Sequence, residues 1–538
     1  MFTFVSLAIL ILVTLNLGDC FIINQRIGPI VNTTCGQVEG LSQNGAHGFR
    51  GIPYALPPIG RLRWQPPKKL NMADGTCWNG TFSAMRFGNI CYQYQNSTAF
   101  YGSEDCLYLN VFTPTLNKTA KLPVMVWVHG GQLAYLSGNE LTYYADETMA
   151  GETNVVYVNF NYRLHTFGFM ALQILADVSP TNTSGNYGFM DTLLVLQWVQ
   201  DNIQNFGGDP SQVTLYGHEA GGTRVFGLMA SPLANGLFHK GWISSTPPRY
   251  DKLAIDAYKD NLVYLNNTKC STVDCLLALT SQEATEAVPW SDFPNWDMSD
   301  QFDIPKKTTR FDGSLAIADG YVLNHPPFEA WARGIKMDIP LLIGSAAQEL
   351  DFSQPPPDMG TWDKPNYERY IHIQLDTFST YIADMALKMY PVTGNLTARY
   401  QWASMASDIR FNCGNNRLAL MAAKTFRSPV YRYINSNNPS KPFFGSIYPF
   451  TYHDMYAFFG HLEWGLHTLG DSDKKFERSM KDEVISFVRH GHPNTTSWTT
   501  FPGSTGLISD TVTTIPEYHG EECEFLFANG FYPYSWRQ

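Results

Sequence analysis

Short apolar runs bounded by turn residues are the main pattern in the first third of the chain. Residues 107–112, 124–128 and 154–159 are rich in β-branched side chains and are apolar at successive positions. Runs without polar alternation are typical of strands that are buried on both faces of a mostly parallel sheet. We therefore expect a central sheet that other elements cover on both sides.

A helical pattern follows at residues 190–206, where apolar side chains recur at positions 193, 194, 196, 198, 199 and 203. Gly207 and Gly208 then supply a C-terminal stop. Because an apolar run precedes this helix and another follows it at 213–216, the order predicts a βαβ unit with parallel strands. Later, residues 339–344 predict a buried strand and residues 483–489 predict part of a helix.

The run at 213–216 leads into the tight turn Gly217-His218-Glu219-Ala220-Gly221, and a helix-like segment comes next. This is the layout of a nucleophile elbow, in which strand turns sharply into helix and one side chain is lifted above the sheet. The lifted residue is normally serine. Here it is Glu219, so the chemistry of this position needs separate evidence.

Bulk properties restrict the class of protein. The chain has 538 residues, of which 44% are hydrophobic, and it carries a formal net charge of −11. An acidic balance argues against non-specific binding to nucleic acid or anionic membranes, which requires basic patches. No internal repeat or linker divides the chain, and residues 289–305, rich in Pro and Asp, are the best candidate for a surface excursion.

Residues 1–20 are predicted to be a secretory signal peptide, although no Lys or Arg precedes the apolar core. The alternative is a signal anchor, but the apolar run is shorter than the roughly 20 residues that span a bilayer. No later stretch predicts a membrane span, and residues 528–538 do not resemble a lipid-anchor tail. We expect a secreted, extracellular protein with a single domain over residues 21–538.

Cysteines and sequons fit this compartment. An even set that suits disulfides remains after residue 20, and its spacing does not resemble that of zinc ligands, so no metal or cofactor is predicted. The cysteines are Cys35, Cys77, Cys91, Cys106, Cys270, Cys275, Cys413 and Cys523. Sequons predict N-glycosylation at Asn32, Asn79, Asn96, Asn117, Asn182, Asn266, Asn395 and Asn494.

Five longer segments carry a family resemblance. They are FRGIPYALPPIGRLR at 49–63, SEDCLYLNVF at 103–112, PVMVWVHGG at 123–131, GNYGFMD at 185–191 and WVQDNIQNFGGDP at 198–210. With the elbow, they resemble the type-B carboxylesterases, the cholinesterase-like branch of the α/β-hydrolases, over nearly the full mature length. The resemblance implies an α/β-hydrolase fold with a large, mostly parallel central sheet flanked by helices.

The same resemblance implies a set of stabilising pairs. Disulfides are expected between Cys91 and Cys106, between Cys270 and Cys275, and between Cys413 and Cys523, which leaves Cys35 to pair with Cys77. Buried ion pairs are expected between Arg63 and Glu104 and between Arg163 and Asp191.

At the catalytic positions the chain departs from the family. The resemblance places Glu219 at the nucleophile, Glu349 at the orienting acid and Thr451 at the histidine. His453 lies two residues away, a shift of several ångströms, and His519 is rejected because its neighbour Cys523 belongs to a disulfide. Family members have three glycines in the oxyanion loop, where this chain has Gly130, Gly131 and Gln132. The backbone N–H groups of Gly131, Gln132 and Ala220 remain available as donors.

These departures are similar to those of the non-catalytic neuroligin, neurotactin, gliotactin and glutactin group. The leading hypothesis is a secreted, catalytically inactive esterase-like glycoprotein that recognises an extracellular protein or retains a small apolar ligand. The alternatives are a carboxylic ester hydrolase that uses Glu219, Glu349 and His453, and a carrier of an apolar small molecule. The Cys91–Cys106 loop has no tryptophan, so choline recognition is not expected. The resemblance also implies a homodimer formed through C-terminal helices.

Overall fold

The computed structural model describes residues 28–96, 99–247, 250–288, 302–307, 316–353 and 358–535. The predicted signal peptide lies outside these ranges, as does most of the predicted excursion at 289–305. Both therefore remain predictions.

An eleven-stranded mixed sheet lies at the centre of the described molecule, in the order β16-β15-β14-β13-β12-β11-β9-β10-β8-β4-β3. A three-stranded sheet, β1-β2-β5, and the hairpin β6-β7 lie beside it. The strands are β1 (Ile30–Thr33), β2 (Gly36–Glu39), β3 (Leu41–Gln43), β4 (Ala46–Pro53), β5 (Thr81–Ser83), β6 (Gln93–Asn96), β7 (Ala99–Tyr101), β8 (Tyr108–Thr113), β9 (Leu122–Val128), β10 (Val156–Phe160), β11 (Gly208–His218), β12 (Lys240–Ser244), β13 (Leu341–Ala346), β14 (Val430–Asn435), β15 (Thr505–Ile508) and β16 (Val512–Ile515).

Helices fill the connections between the strands. They are α1 (Glu147–Thr153), α2 (His165–Phe169), α3 (Gln173–Ala176), α4 (Tyr187–Asn202), α5 (Ala220–Met229), α6 (Ala254–Asp260), α7 (Leu262–Thr268), α8 (Val273–Ala278), α9 (Ser281–Glu286), α10 (Pro327–Ala332), α11 (Lys364–Leu375), α12 (Thr380–Met389), α13 (Ala398–Ser407), α14 (Cys413–Thr425), α15 (His453–Phe459), α16 (Leu462–Leu466), α17 (Asp471–His490) and α18 (Gly520–Ala528).

The middle of the sheet is parallel, as predicted. Strand β9 pairs in parallel with both β10 and β11, and the parallel register continues through β12, β13, β14 and β15. In the described part of this sheet, the antiparallel pairs lie towards the two edges, at β8, β4 and β3 and at β16. Because parallel strands run in the same direction, their carboxyl ends meet at one edge, where α/β folds bind ligands.

The core lies on both faces of this sheet. Alternate residues of β9 enter different hydrophobic clusters, with Val124 and Val126 on one face and Met125 and Trp127 on the other. Helices α4 and α5 pack in the first cluster, and α15 and α17 pack in the second. Burial on both faces explains why the strands read as continuous apolar runs.

The predicted elements are found with shifted ends. The predicted helix at 190–206 is α4, continued by a 3-10 turn at Ile203–Phe206, and Gly207 stops it with a φ of 82°. The runs at 107–112, 124–128 and 154–159 are β8, β9 and β10, and 339–344 is β13. The predicted helical piece at 483–489 is the last part of the much longer α17. β10, α4 and β11 occur in the predicted order, with α2 and α3 between β10 and α4, but β9 lies between the two strands in the sheet.

The predicted covalent and ionic pairs are confirmed. Disulfides join Cys35 to Cys77, Cys91 to Cys106, Cys270 to Cys275 and Cys413 to Cys523. The guanidinium of Arg63 lies 2.6 Å from Glu104, and that of Arg163 lies 2.7 Å from Asp191. Both pairs are buried.

Two further observations concern the surface. Seven of the predicted glycosylation sites are exposed, namely Asn32, Asn79, Asn117, Asn182, Asn266, Asn395 and Asn494, while the side chain of Asn96 lies outside the described part. Within the described ranges, no helix is both long and apolar enough to cross a membrane.

Candidate functional site

The predicted elbow is present at the carboxyl end of β11. That strand ends at His218 and α5 begins at Ala220, so that Glu219 alone makes the turn, with φ 53° and ψ −119°. The flanking glycines permit this close approach, because a Cβ atom on Gly221 would lie 1.9 Å from the carbonyl oxygen of Val128. Positive φ at a non-glycine residue is strained and is typical of functional turns.

The Glu219 carboxylate is bound by the loop that follows β9. Its Oε2 atom accepts hydrogen bonds from the backbone N–H of Gly131 at 2.8 Å and of Gln132 at 3.4 Å. Gly130 gives the carboxylate room, since a Cβ atom there would lie 2.9 Å from the same oxygen. Ala220, the third predicted oxyanion donor, is not among the donors to Glu219 in the described structure.

Burial sets the protonation of this carboxylate. Glu219 is 2% exposed, and desolvation raises its pKa to about 7, against the lowering effect of the Gly131 and Gln132 donors. The Gln132 side chain is buried and also favours the ionised form of Glu219. The hydroxyl of Tyr452 acts in the same direction.

Glu349 and Thr451 lie close together. Glu349 follows β13, and its carbonyl oxygen accepts a hydrogen bond of 3.1 Å from the N–H of Thr451. Its Oε1 atom accepts bonds of 2.6 Å from the Ser245 hydroxyl and from the Ala346 N–H. Its Oε2 atom is buried without a hydrogen-bond partner in the described structure. Desolvation, aided by nearby Asp454, raises the pKa of Glu349 to about 8.

This geometry can be compared with that of known proteins. The family model described as "Carboxylesterase family" matches residues 27–526. The chain belongs to this family. It is 33% identical to a fumonisin B1 esterase of Sphingopyxis macrogoltabida over 476 residues, which cover 86% of this chain and 82% of the relative. It is 30% identical to a para-nitrobenzyl esterase of Bacillus subtilis, with 92% and 94% covered.

A solved structure and a further relative extend the comparison. A structure titled PNB esterase superimposes with a TM-score of 0.72 at 28% identity, covering 93% of this chain and 99% of that one. Neurotactin of Drosophila melanogaster is 31% identical over 468 residues, which cover 85% of this chain but 52% of neurotactin. Carboxylesterase-family relatives thus include proteins named as esterases and neurotactin.

Sequence reasoning missed His218, which precedes Glu219 in this esterase-family elbow. Its Nε2 atom lies 3.0 Å from the Thr451 hydroxyl and 3.3 Å from the backbone N–H of Tyr452. Because a backbone N–H only donates, Nε2 is the acceptor and Nδ1 carries the proton, which it donates to the Tyr143 hydroxyl at 2.6 Å. Burial lowers the pKa of His218 to about 3, so the ring is neutral. Its position inside the elbow motif was the available signal.

The other two histidines that the sequence offered lie in different surroundings. His453 begins α15, with its Nδ1 atom 3.3 Å from the side-chain nitrogen of Asn435 and its ring stacked 5.4 Å from that of Phe450. His519 lies 2.6 Å from Asp408, near the Cys413–Cys523 disulfide, where that carboxylate outweighs burial and raises its pKa. Neither histidine hydrogen-bonds to Glu219 or Glu349 in the described structure.

The arrangement restricts the chemistry that the site can perform. A carboxylate that attacked an ester would form an anhydride, and here the carboxylate oxygen is already held by the loop N–H groups. No imidazole donates to or accepts from Glu219 among the described residues. The described part also contains no group of three or more His, Cys, Asp or Glu that could hold a metal ion.

Proposed function

We propose that this chain is a secreted, catalytically inactive member of the carboxylesterase family that serves in extracellular recognition. One observation carries the proposal. The Glu219 carboxylate occupies the backbone donors of Gly131 and Gln132, which in a serine esterase stabilise the oxyanion of the transition state.

Ester hydrolysis by this fold has requirements that the residues of this chain do not meet. Hydrolysis by this machinery needs a hydroxyl nucleophile, an imidazole that moves its proton, and free oxyanion donors. Glu219 supplies no hydroxyl and fills the donors, and Thr451 supplies no imidazole. His218 does not substitute, because its Nε2 atom faces Thr451 and Tyr452.

The recognition role is supported by kinship and by compartment. Neurotactin is a relative, although this chain spans about half of its length. Four disulfides and exposed sequons suit a secreted glycoprotein, since such bonds persist in oxidising compartments. The partner is an extracellular protein or a small apolar ligand.

A carrier role has one specific observation in its favour. A surface groove of about 290 Å³ lies beside α4, and apolar side chains provide most of its lining. Mass spectrometry of lipids that co-purify with the secreted protein tests this candidate, and a protein free of lipid excludes it.

The decisive experiment is an esterase assay with short acyl esters. Wild type, Glu219→Gln and the triple variant Glu219→Ser, Thr451→His, Gln132→Gly are compared. We expect background rates from the first two and turnover from the triple variant, which a serine-directed phosphonate abolishes. Wild-type turnover that Glu219→Gln removes would establish the hydrolase alternative and overturn the proposal.

A further inference from the structure

The loop that holds Glu219 has an unusual backbone. Gly131, Gln132, Leu133 and Leu136 all have positive φ, at 94°, 54°, 62° and 71°. Residues other than glycine rarely adopt positive φ, so the segment keeps this conformation only if its surroundings fix it. The first four residues of the segment, 131–134, are buried, and buried N–H groups need an acceptor.

We propose that the Glu219 carboxylate is a built-in ligand of the turn Gly131–Leu136, filling a carboxylate-binding site that the chain occupies itself. The Oε2 atom satisfies two successive N–H groups, those of Gly131 and Gln132. Successive backbone N–H groups in a turn form a concave anion site, which is the chemistry that a carboxylate fits. Glu219 therefore stabilises the turn, which is a role separate from catalysis.

The turn is connected to the protein surface through Gln93. This buried side chain accepts from the N–H of Leu136 at 2.7 Å, and its amide donates to the carbonyl of Leu136 at 3.0 Å and to that of Cys91 at 2.9 Å. Gln93 begins the β6-β7 hairpin inside the Cys91–Cys106 disulfide loop, where Tyr101 is exposed. The ligand in the interior thus also fixes the conformation of a surface hairpin.

The group that Glu219→Ala removes determines which small molecule serves as the probe. Glu219→Ala removes Cγ and the carboxylate, which together have the same heavy atoms as acetate. We therefore expect acetate to enter the vacated site. Acetamide has the same shape without the charge, and chloride at equal ionic strength reports general salt effects.

The test compares wild type, Glu219→Ala and Glu219→Gln by thermal unfolding and by hydrogen exchange of peptides covering residues 130–136 and 91–106. We expect the Ala variant to lose roughly 1–3 °C in Tm, because two buried donors lose their acceptor in a chain of this length. Exchange in both peptides should rise about tenfold or more, since the turn loses its acceptor. Acetate should restore both properties of this variant and leave wild type and the Gln variant unchanged.

A matched control removes another buried carboxylate of the same kind. Glu483 of α17 accepts from the N–H of Asn494 at 2.7 Å and of Thr495 at 3.0 Å, in contacts separate from those of the elbow. Glu483→Ala should lower Tm without changing exchange in either peptide. If Glu219→Ala does not fold, Glu219→Ser replaces it, because serine is the usual residue at this turn.

Specific outcomes overturn the inference. Unchanged exchange at 130–136 in the Ala or Ser variant, restoration by chloride as well as by acetate, or an equal effect of acetate on wild type each contradicts a built-in ligand. Faster exchange at 130–136 without faster exchange at 91–106 would contradict the connection between the turn and the hairpin. Ester turnover by wild type would overturn the proposed function and leave this test unaffected, so the two failures are distinguishable.

Discussion

Buried charges are handled differently in the scaffold and at the elbow. In the scaffold, the Nε and Nη2 atoms of Arg163 donate to Asp191 in a two-pronged pair, and Arg63 binds Glu104 in the same way. At the elbow, Glu219 and Glu349 are held by backbone N–H and hydroxyl groups, with no Arg or Lys among their hydrogen-bond donors in the described structure.

The difference has an electrostatic consequence. Desolvation penalises a buried carboxylate unless a cation compensates it, so burial raises the pKa of Glu219 and Glu349. In these two scaffold pairs an arginine compensates the carboxylate. Glu219 and Glu349 have no such cation, and protonation relieves their desolvation penalty. Perturbed groups of this kind cluster at functional sites, and here they lie in and beside an elbow that carries Glu219 in place of serine.

The largest expected effect concerns the scaffold. Arg163→Met leaves Asp191 buried and unpaired, and we expect a loss of about 3–5 kcal/mol in the free energy of unfolding. Urea denaturation measures it. The control is Asp274→Ala, which breaks the exposed pair with Arg61 at 3.9 Å and should change stability by less than about 0.5 kcal/mol. Equal losses of unfolding free energy in the two variants would contradict the distinction between buried and exposed ion pairs.

The next effect is a dependence of stability on pH. The pKa of Glu349 is about 8 in the folded chain and about 4.3 in an unfolded chain, so the folded state retains a proton that the unfolded state releases. Its stabilising contribution is complete below the unfolded value and is lost as pH rises through about 8. We expect the free energy of unfolding to fall by roughly 2–4 kcal/mol between pH 5 and pH 9.

Glu349→Gln should flatten part of this pH dependence, because the amide does not titrate. Denaturation curves at several pH values measure the slope for both proteins. An identical slope in wild type and variant would show that Glu349 is not the buried acid responsible.

The smallest expected effect concerns the hydrogen bond between Thr451 and His218 at the elbow. Thr451→Val removes the hydroxyl that lies 3.0 Å from Nε2 of His218 and keeps the shape of the side chain. Because Nε2 retains the Tyr452 N–H, we expect a loss of only about 0.5–1.5 kcal/mol. Thermal unfolding measures it. A loss as large as that of Arg163→Met would mean that the elbow carries as much stability as the scaffold.

Much of the fold could be predicted from local pattern. Continuous apolar runs indicated buried strands, and the spacing of apolar residues at 190–206 indicated α4. Both predictions were possible because burial on one or two faces determines which successive positions are apolar. The neighbour relations were harder to obtain. That β9 lies between β10 and β11 depends on pairing between distant segments, which no local pattern encodes.

For the candidate site, too, the sequence identifies residues, whereas their contacts require the tertiary structure. By itself, the sequence determined that Glu219 stands in the elbow, and its family resemblance predicted Glu349 for the acid position and Thr451 for the histidine position. Only the tertiary structure decided that Glu219 turns towards Gly131, 88 residues away, and that Thr451 meets His218, 233 residues away. Such contacts depend on the relative placement of strands and loops, and hydrogen bonds tolerate only a few tenths of an ångström of error in that placement.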